Sequence, residues 1–315
     1  MTKPPLLSVI IPAYNHERFI GPAVESVLAQ SLADLELIII DDGSTDTTAK
    51  VIQSYQDSRL HYIYQDNQDA YNALNRGMGL ARGEYIAILN SDDIYTKNRL
   101  ERLVAQQRAT GAQCLFSRVR LINDEGKLLD DPALWWNQWY EDAVQRYSAS
   151  QDLYLTFLQR NVMVTTSNLF LTRLAAQTVG GFSALRYLHD YDYIFRVLLA
   201  FPGQVQFLHD EPLLFYRVHG GNTLSEAAIT GRKQDQDVIR KYMLARIPRE
   251  FHPMLQAGID RLVELEQELA QERQRRANLN PPALRTQLKQ LARSSARKLR
   301  AEIKQAYRAI QKDTK

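Results

Sequence analysis

Four short polar strings carry the residue types from which a reactive site is built: Pro12-Ala13-Tyr14-Asn15, Asp41-Asp42-Gly43-Ser44-Thr45-Asp46, Asn90-Ser91-Asp92-Asp93 and His189-Asp190-Tyr191-Asp192. Taken singly, each has a plain reading. A DDGS string makes a solvated turn in which Ser44 or Thr45 caps the next helix, and Asp190 or Asp192 suits the N-cap of a helix starting near residue 191. Their placement suggests more, because the first three each follow directly on an apolar run. Carboxylates gathered at neighbouring strand ends repel one another unless a cation lies between them. Oxygen ligands favour Mg²⁺ or Mn²⁺, and Mg²⁺ is commonly held by one or two carboxylates together with the phosphates of a substrate. A site for a metal and a diphosphate is the chemistry these strings imply.

The elements that must position them are equally regular. Apolar runs at 7–11, 35–40, 60–64 and 85–89 read as strands, with helices expected at 18–30, 45–56, 70–81 and 96–108. A run as continuous as Leu37-Ile38-Ile39-Ile40 is buried on both faces, as in parallel strands covered by crossover helices. The fold class is therefore α/β, a doubly wound, mainly parallel sheet. Ligands of such sheets bind outside the carboxyl ends of the strands, where the polar strings stand. Beyond residue 110 we expect a strand at 113–122, helices near 150–160, 172–179 and 191–200, and strands at 205–208 and 213–218. From 229 onward the pattern is helical. Leu255, Leu262 and Leu269 lie one heptad apart there, and Pro281-Pro282 makes a break.

Composition sets outer bounds. The chain has 315 residues, of which 45% are apolar and 24% charged, the balance of a soluble globular protein of about two units. One cysteine, Cys114, leaves neither an internal disulfide nor a Cys-based zinc site. No apolar run approaches the roughly 20 residues of a spanning helix, and the start lacks the apolar core of a signal peptide, so a cytoplasmic protein is expected. The net charge of +3 is unevenly spread. Residues 271–315 hold 13 Lys and Arg against 3 Asp and Glu, so the first 270 residues are net acidic.

Seven segments in order, SVIIPAYN (8–15), ESVLAQSL (25–32), ELIIIDDGSTD (36–46), GEYIAILNSDD (83–93), VGGF (179–182), LHDYDYIFRV (188–197) and YRVHGGNTLS (216–225), resemble the family 2 glycosyltransferases of GT-A fold. The resemblance covers about residues 6–225. It implies an inverting transfer of a sugar from a nucleotide-sugar, most commonly a UDP-sugar, to an acceptor hydroxyl, with help from Mn²⁺ or Mg²⁺. It also implies a glycosyltransferase domain over 1–228, divided into a nucleotide-sugar-binding half (1–110) and an acceptor half (111–228), with a helical extension over 229–315.

Carried over position by position, Pro12, Tyr14 and Asp42 match residues that hold the nucleotide base. Asp92 and Asp93 match the DXD-type motif, Asp93 as metal ligand and Asp92 on the donor's ribose or sugar. Asp190 matches the general base that takes the acceptor's proton, with His189 where the family usually has Glu. His219 matches a position that approaches the metal or diphosphate from a closing loop. Arg76 offers a diphosphate contact, although Asn72 and Leu74 depart from the family pattern beside it. Trp135, Trp136 and His189 are candidate acceptor contacts, with Trp139 beside them, as are Thr166, Ser167 and Asn168. Gly180-Gly181 reads as a tight turn carrying Phe182 into the core.

The partners expected are thus a nucleotide-sugar donor and a saccharide or lipid-linked acceptor, as in polysaccharide or glycolipid assembly. In the tail, Leu284, Leu288, Leu291, Leu299, Ile303, Tyr307 and Ile310 recur at largely helical spacing among Lys and Arg, the pattern of a basic amphipathic helix. Such a helix packs on its own protein or a partner, or lies on an anionic membrane, which would place the protein at the inner face of the plasma membrane. Nucleic acid is not expected, because no recognition motif accompanies the charge. The heptad leucines permit a homodimer without demanding one. The alternative function is a non-catalytic sugar-binding scaffold with a degenerate glycosyltransferase fold, against which Asp92, Asp93 and Asp190 argue.

Overall fold

The computed structural model describes residues 3–185, 187–219 and 230–279. The basic segment beyond 280, and Gly220-Gly221, lie outside the described residues. In chain order the elements are β1 (Leu7–Ala13), α1 (Ile20–Leu28), β2 (Leu35–Asp42), α2 (Thr48–Gln53), β3 (Leu60–Gln65), α3 (Ala70–Leu80), β4 (Tyr85–Ile88), β5 (Ile94–Tyr95), α4 (Arg99–Thr110) and β6 (Cys114–Ile122). They continue with α5 (Trp135–Ser150), α6 (Leu153–Gln159), β7 (Phe170–Thr172), α7 (Arg173–Val179), α8 (His189–Ala200), β8 (Val205–Arg217), α9 (Thr230–Ala245) and α10 (His252–Leu279).

One eight-stranded sheet runs in the order β3-β2-β1-β4-β7-β6-β8-β5. β3, β2, β1 and β4 are parallel, β6 is parallel to β8, and β7 runs antiparallel between β4 and β6. β1 and β2 are covered on both faces, and every residue of β2 is buried. Helix α1 meets the sheet with Ile20, Ala23, Val24 and Val27, a stripe at i, i+3, i+4 and i+7. Helix α3 lies so close to β1 that a Cβ on Gly77 would stand 2.4 Å from Ile10 Cγ2, which only glycine avoids. Because β2 and β4 flank β1, the chain diverges to either side of it, and a crevice opens beyond its carboxyl end.

Two features depart from the periodicity. β7 has only three residues, too few for an alternating pattern to show. The strands expected at 205–208 and 213–218 are one, β8, whose pairing shifts from Ser117–Leu208 to Arg118–Pro212. The intervening His209-Asp210-Glu211 bulges out, so its polar residues read as a turn.

The chain forms two compact units, residues 1–245 and 246–315. The first runs past residue 228, since α9 buries Val238 and Tyr242 against it. In the second, Leu262, Leu265 and Leu269 of α10 are solvent-exposed. Among the described residues, no helix is long and apolar enough to cross a membrane.

Candidate active site

The crevice beyond β1 is a cleft of about 760 Å³, within the range of roughly 300–1,000 Å³ usual for small-molecule sites. Its first wall is made by the ends of β1 and β2. Pro12, Tyr14 and Asp42 all line it. The loops after the two strands are tied together: Asn15, in left-handed backbone (φ 50°), donates its N–H to Ser44 Oγ (3.0 Å), and Thr45 N–H donates to Asn15 Oδ1 (2.8 Å). The two adjacent carboxylates have separate duties. Asp41 braces the turn, accepting from Ser44 N–H (3.0 Å) and Tyr62 OH (2.8 Å). Asp42 faces the cleft and is oriented by Gln65 Nε2 (2.6 Å) and Gln68 N–H (3.0 Å). The Tyr14 ring, about half exposed, is free to pack on a flat ligand.

The end of β4 sorts its residues in a way the string NSDD did not reveal. Asn90, Ser91 and Asp92 line the cleft, whereas Asp93 does not. Asp93 is fully buried and its oxygens are taken by Ser167 Oγ (2.5 Å), Thr165 Oγ1 (3.3 Å) and Arg217 N–H (2.9 Å). Burial first, then the neighbouring Asp92 charge, pushes its carboxyl well above the usual range. Asp93, the expected metal ligand, is thus not brought to the cleft in this fold: it pins the β4 loop to the end of β8. Asp93→Ala strands the Ser167 hydroxyl and the Arg217 N–H, so we expect about 1–3 kcal/mol of lost stability, read by thermal denaturation.

Ligand atoms gather one residue earlier. Asp92, His219 and His16 each present one atom, all within 4.8 Å of one another. His219 Nε2 lies 3.1 Å from Asp92 Oδ2, its ring packed on Phe19 at 4.6 Å between centroids. His16 Nδ1 lies 2.6 Å from Ser91 Oγ, and burial lowers its pKa, favouring the neutral imidazole that a metal needs. His16 was not singled out from the sequence. Its signal is its place just past the first strand, at the same sheet edge as the carboxylates.

The facing wall comes from the segment before β7 and the start of α8. Val164 holds φ 74°, a strained value for a β-branched residue, closed by Thr165 N–H donating to Met163 O (3.0 Å). That turn delivers Thr165 and Thr166 to the cleft. Thr166 Oγ1 lies 3.2 Å from His189 Nε2, and His189 Nδ1 lies 3.2 Å from Leu185 O. Asp190 lines the cleft beside them, accepting from its neighbour's N–H at Tyr191 (2.7 Å). Burial raises its pKa, with the adjacent His189 opposing. Neither Asp190 nor Asp192 caps α8; the N-cap is Leu188, and no side chain bonds there. Gly180 takes φ 77° and Phe182 is buried, its N–H and C=O both held by Asn75 of α3 (2.6 and 3.0 Å).

Five expected contacts fall elsewhere. Ser167 and Asn168 are fully buried in a 3₁₀ turn that precedes β7: Ser167 serves Asp93 and Asn90 N–H, and Asn168 is bonded to Ser117, Met163 and the buried Arg99. Arg76 points along β3 to Tyr64 O (3.2 Å) and Gln65 Oε1 (3.0 Å), away from the cleft. Trp136 is stacked between Tyr140 and Tyr216 on the core, and Trp135 stands exposed at the start of α5; neither lines the cleft. Thr166 does line the cleft, together with Asn161 and Thr165 of the same segment.

A parallel nucleotide-type sheet extended by a mixed half, with a metal-competent cluster and a buried carboxylate in one cleft, is the arrangement of a GT-A type glycosyltransferase. The chain matches the glycosyl transferase family 2 over residues 8–165 and belongs to that family. An uncharacterized glycosyltransferase of Nostoc sp. is 30% identical over 235 residues, 73% of this chain and 70% of that protein. The putative teichuronic acid biosynthesis glycosyltransferase TuaG of Bacillus subtilis is 39% identical over 129 residues, 40% of this chain and 51% of its own length. Among solved structures, S. aureus TarS 1–349 in complex with UDP-GlcNAc has a TM-score of 0.58 at 18% identity, covering 78% of this chain and 68% of TarS. The mannosyltransferase PcManGT of Pyrobaculum calidifontis, in complex with GDP-Man and Mn²⁺, has a TM-score of 0.54 at 16% identity, covering 82% and 70%. At these identities the two structures establish the shared fold.

Proposed function

We propose that the protein is a metal-assisted inverting glycosyltransferase that moves a sugar from a nucleoside-diphosphate sugar to an acceptor hydroxyl in polysaccharide or glycolipid assembly. The observation that carries this reading is one cleft that holds Asp92, His219 and His16 together with Asp190. Tyr14 packs on the base and Asp42 hydrogen-bonds it. Asp92, His219 and His16 would hold a divalent ion, which would supply a Lewis acid for the negative charge that grows on the departing diphosphate. Two imidazoles and one carboxylate suit a transition-metal ion better than Mg²⁺, which favours oxygen, and among such ions Mn²⁺, present in the PcManGT structure, is the one we assign.

Asp190 takes the acceptor's proton as its oxygen attacks the anomeric carbon. The bond from that carbon to the diphosphate oxygen breaks with its electron pair on the leaving group, and the configuration inverts. A carboxylate held above its usual pKa by burial is a stronger base than an exposed one, which suits it to this step. The solved relatives carry UDP-GlcNAc and GDP-Man, and a UDP-sugar is the donor we assign. Polysaccharide assembly is supported by the name of the TuaG relative.

Calorimetric titration of UDP, GDP and dTDP, with Mn²⁺ and then with EDTA, tests the donor site. UDP binding that needs Mn²⁺ is expected. Absence of binding by all three nucleotides would move the protein to the non-catalytic class.

A further inference from the structure

Two residues past Asp190 on α8, Asp192 is 1% exposed and holds more partners than a helix residue needs. Its Oδ1 accepts from Lys241 Nζ (2.8 Å) and Tyr242 OH (2.6 Å), and its Oδ2 from Ser183 Oγ (2.7 Å) and Arg196 Nε (2.9 Å). These donors come from α9, from the turn after α7, and from the next turn of α8 itself. No side chain caps α8 at Leu188, and alongside Tyr191 OH on Phe157 O and His189 on Thr166 these bonds tie its first turn to α9 and to the turn after α7. Residues i and i+2 of a helix lie about 200° apart, which is why Asp190 meets the cleft while Asp192 looks back into the protein. Tyr242 is itself immobilised: 2% exposed, its ring stacked on Phe195 at 4.5 Å, its carbonyl bonded by Tyr154 OH at 2.6 Å.

The interface could be mere packing, but its polarity argues otherwise. An apolar contact such as that of Val238 would join α9 to α8 without burying a carboxylate. A saturated carboxylate instead fixes register, since each of its four donors must stand at one place. We propose that Asp192, Lys241 and Tyr242 are positioning residues for glycosyl transfer, holding the first turn of α8 so that Asp190 presents its carboxylate to the acceptor. This rests on Asp190 being the base. It also assigns α9, beyond the family match at 8–165, a part in catalysis.

The test compares Asp192→Asn, Tyr242→Phe and Lys241→Met in the full chain, with Val238→Ala as a control that loosens the same helix through its apolar contact without touching Asp192 or its donors. A displaced base costs rate and leaves the nucleotide wall alone. We expect kcat to fall about 10- to 100-fold in the three variants, with nucleotide Kd and donor KM within about twofold. Faster hydrogen exchange of the amides at 189–193 is expected in the same variants. Val238→Ala should lower the melting temperature but keep kcat. Unchanged kcat at a lowered melting temperature, or an equal kcat loss in Val238→Ala, overturns the proposal, as does unaltered exchange at 189–193. Asp190→Asn measured alongside separates the two readings: retained activity there removes the base assignment, while exchange still reports whether Asp192 orders the turn.

Discussion

Asp190→Asn lowers kcat for glycosyl transfer by about 10²- to 10⁴-fold, the range for loss of a positioned general base, and leaves nucleotide Kd nearly unchanged. The amide keeps the size of the carboxyl and its acceptor oxygen toward Tyr191 N–H but cannot take a proton. Stability should move the opposite way. Burial raises the Asp190 pKa in the folded chain above its unfolded value. The folded state therefore binds the proton more tightly, and the charge weighs against folding once pH has risen through the folded pKa. At neutral pH the Asn variant is expected to melt higher than wild type, with the difference vanishing below the ordinary carboxylate range. The wild-type rate should climb with pH as Asp190 deprotonates, its acid limb displaced upward from that of an exposed Asp. Transfer assays over pH beside thermal melts of both proteins check this. A fully active Asn variant would remove the base assignment.

The strand ends were legible because parallel strands buried on both faces leave continuous apolar runs, and the residue after each run must leave the sheet. What the strings lacked was direction. In Asn90-Ser91-Asp92-Asp93 the two carboxylates are equivalent as letters, and the matched motif put the metal on the second. Folding turns adjacent side chains apart: Asp93 goes under the loop to Ser167 and Arg217, and Asp92 remains in the cleft. Ser167 and Asn168 were misplaced for a related reason. The strand they introduce, β7, has three residues, and only its pairing with β4 and β6 shows that both side chains point into the sheet junction. His16 was passed over as a single polar residue, because its partner, Ser91, is distant in sequence. Arg76 shows the reverse case, a cation at a suggestive position whose guanidinium is bonded along β3.

The same sorting gives the metal prediction its contrast. Asp92→Asn and His219→Ala should each cut transfer by about 10³-fold, since several kcal/mol of charge stabilisation on the leaving diphosphate would be lost. EDTA should do the same to wild type, with Mn²⁺ restoring more activity than Mg²⁺. His16 decides the preference between the two ions. Its imidazole is the third member of the cluster, and replacing it by an oxygen ligand in His16→Asn makes the set harder, so the variant should respond to Mg²⁺ relatively better than wild type does. Metal titrations of transfer rate and of nucleotide binding measure both effects. An unaltered Mn²⁺-to-Mg²⁺ ratio in His16→Asn would remove His16 from the ligand set. If Asp93→Asn instead abolished metal-dependent nucleotide binding while folding normally, the metal would belong to the second carboxylate after all. The buried bonds of Asp93 to Ser167 and Arg217 argue that its loss is felt first in stability.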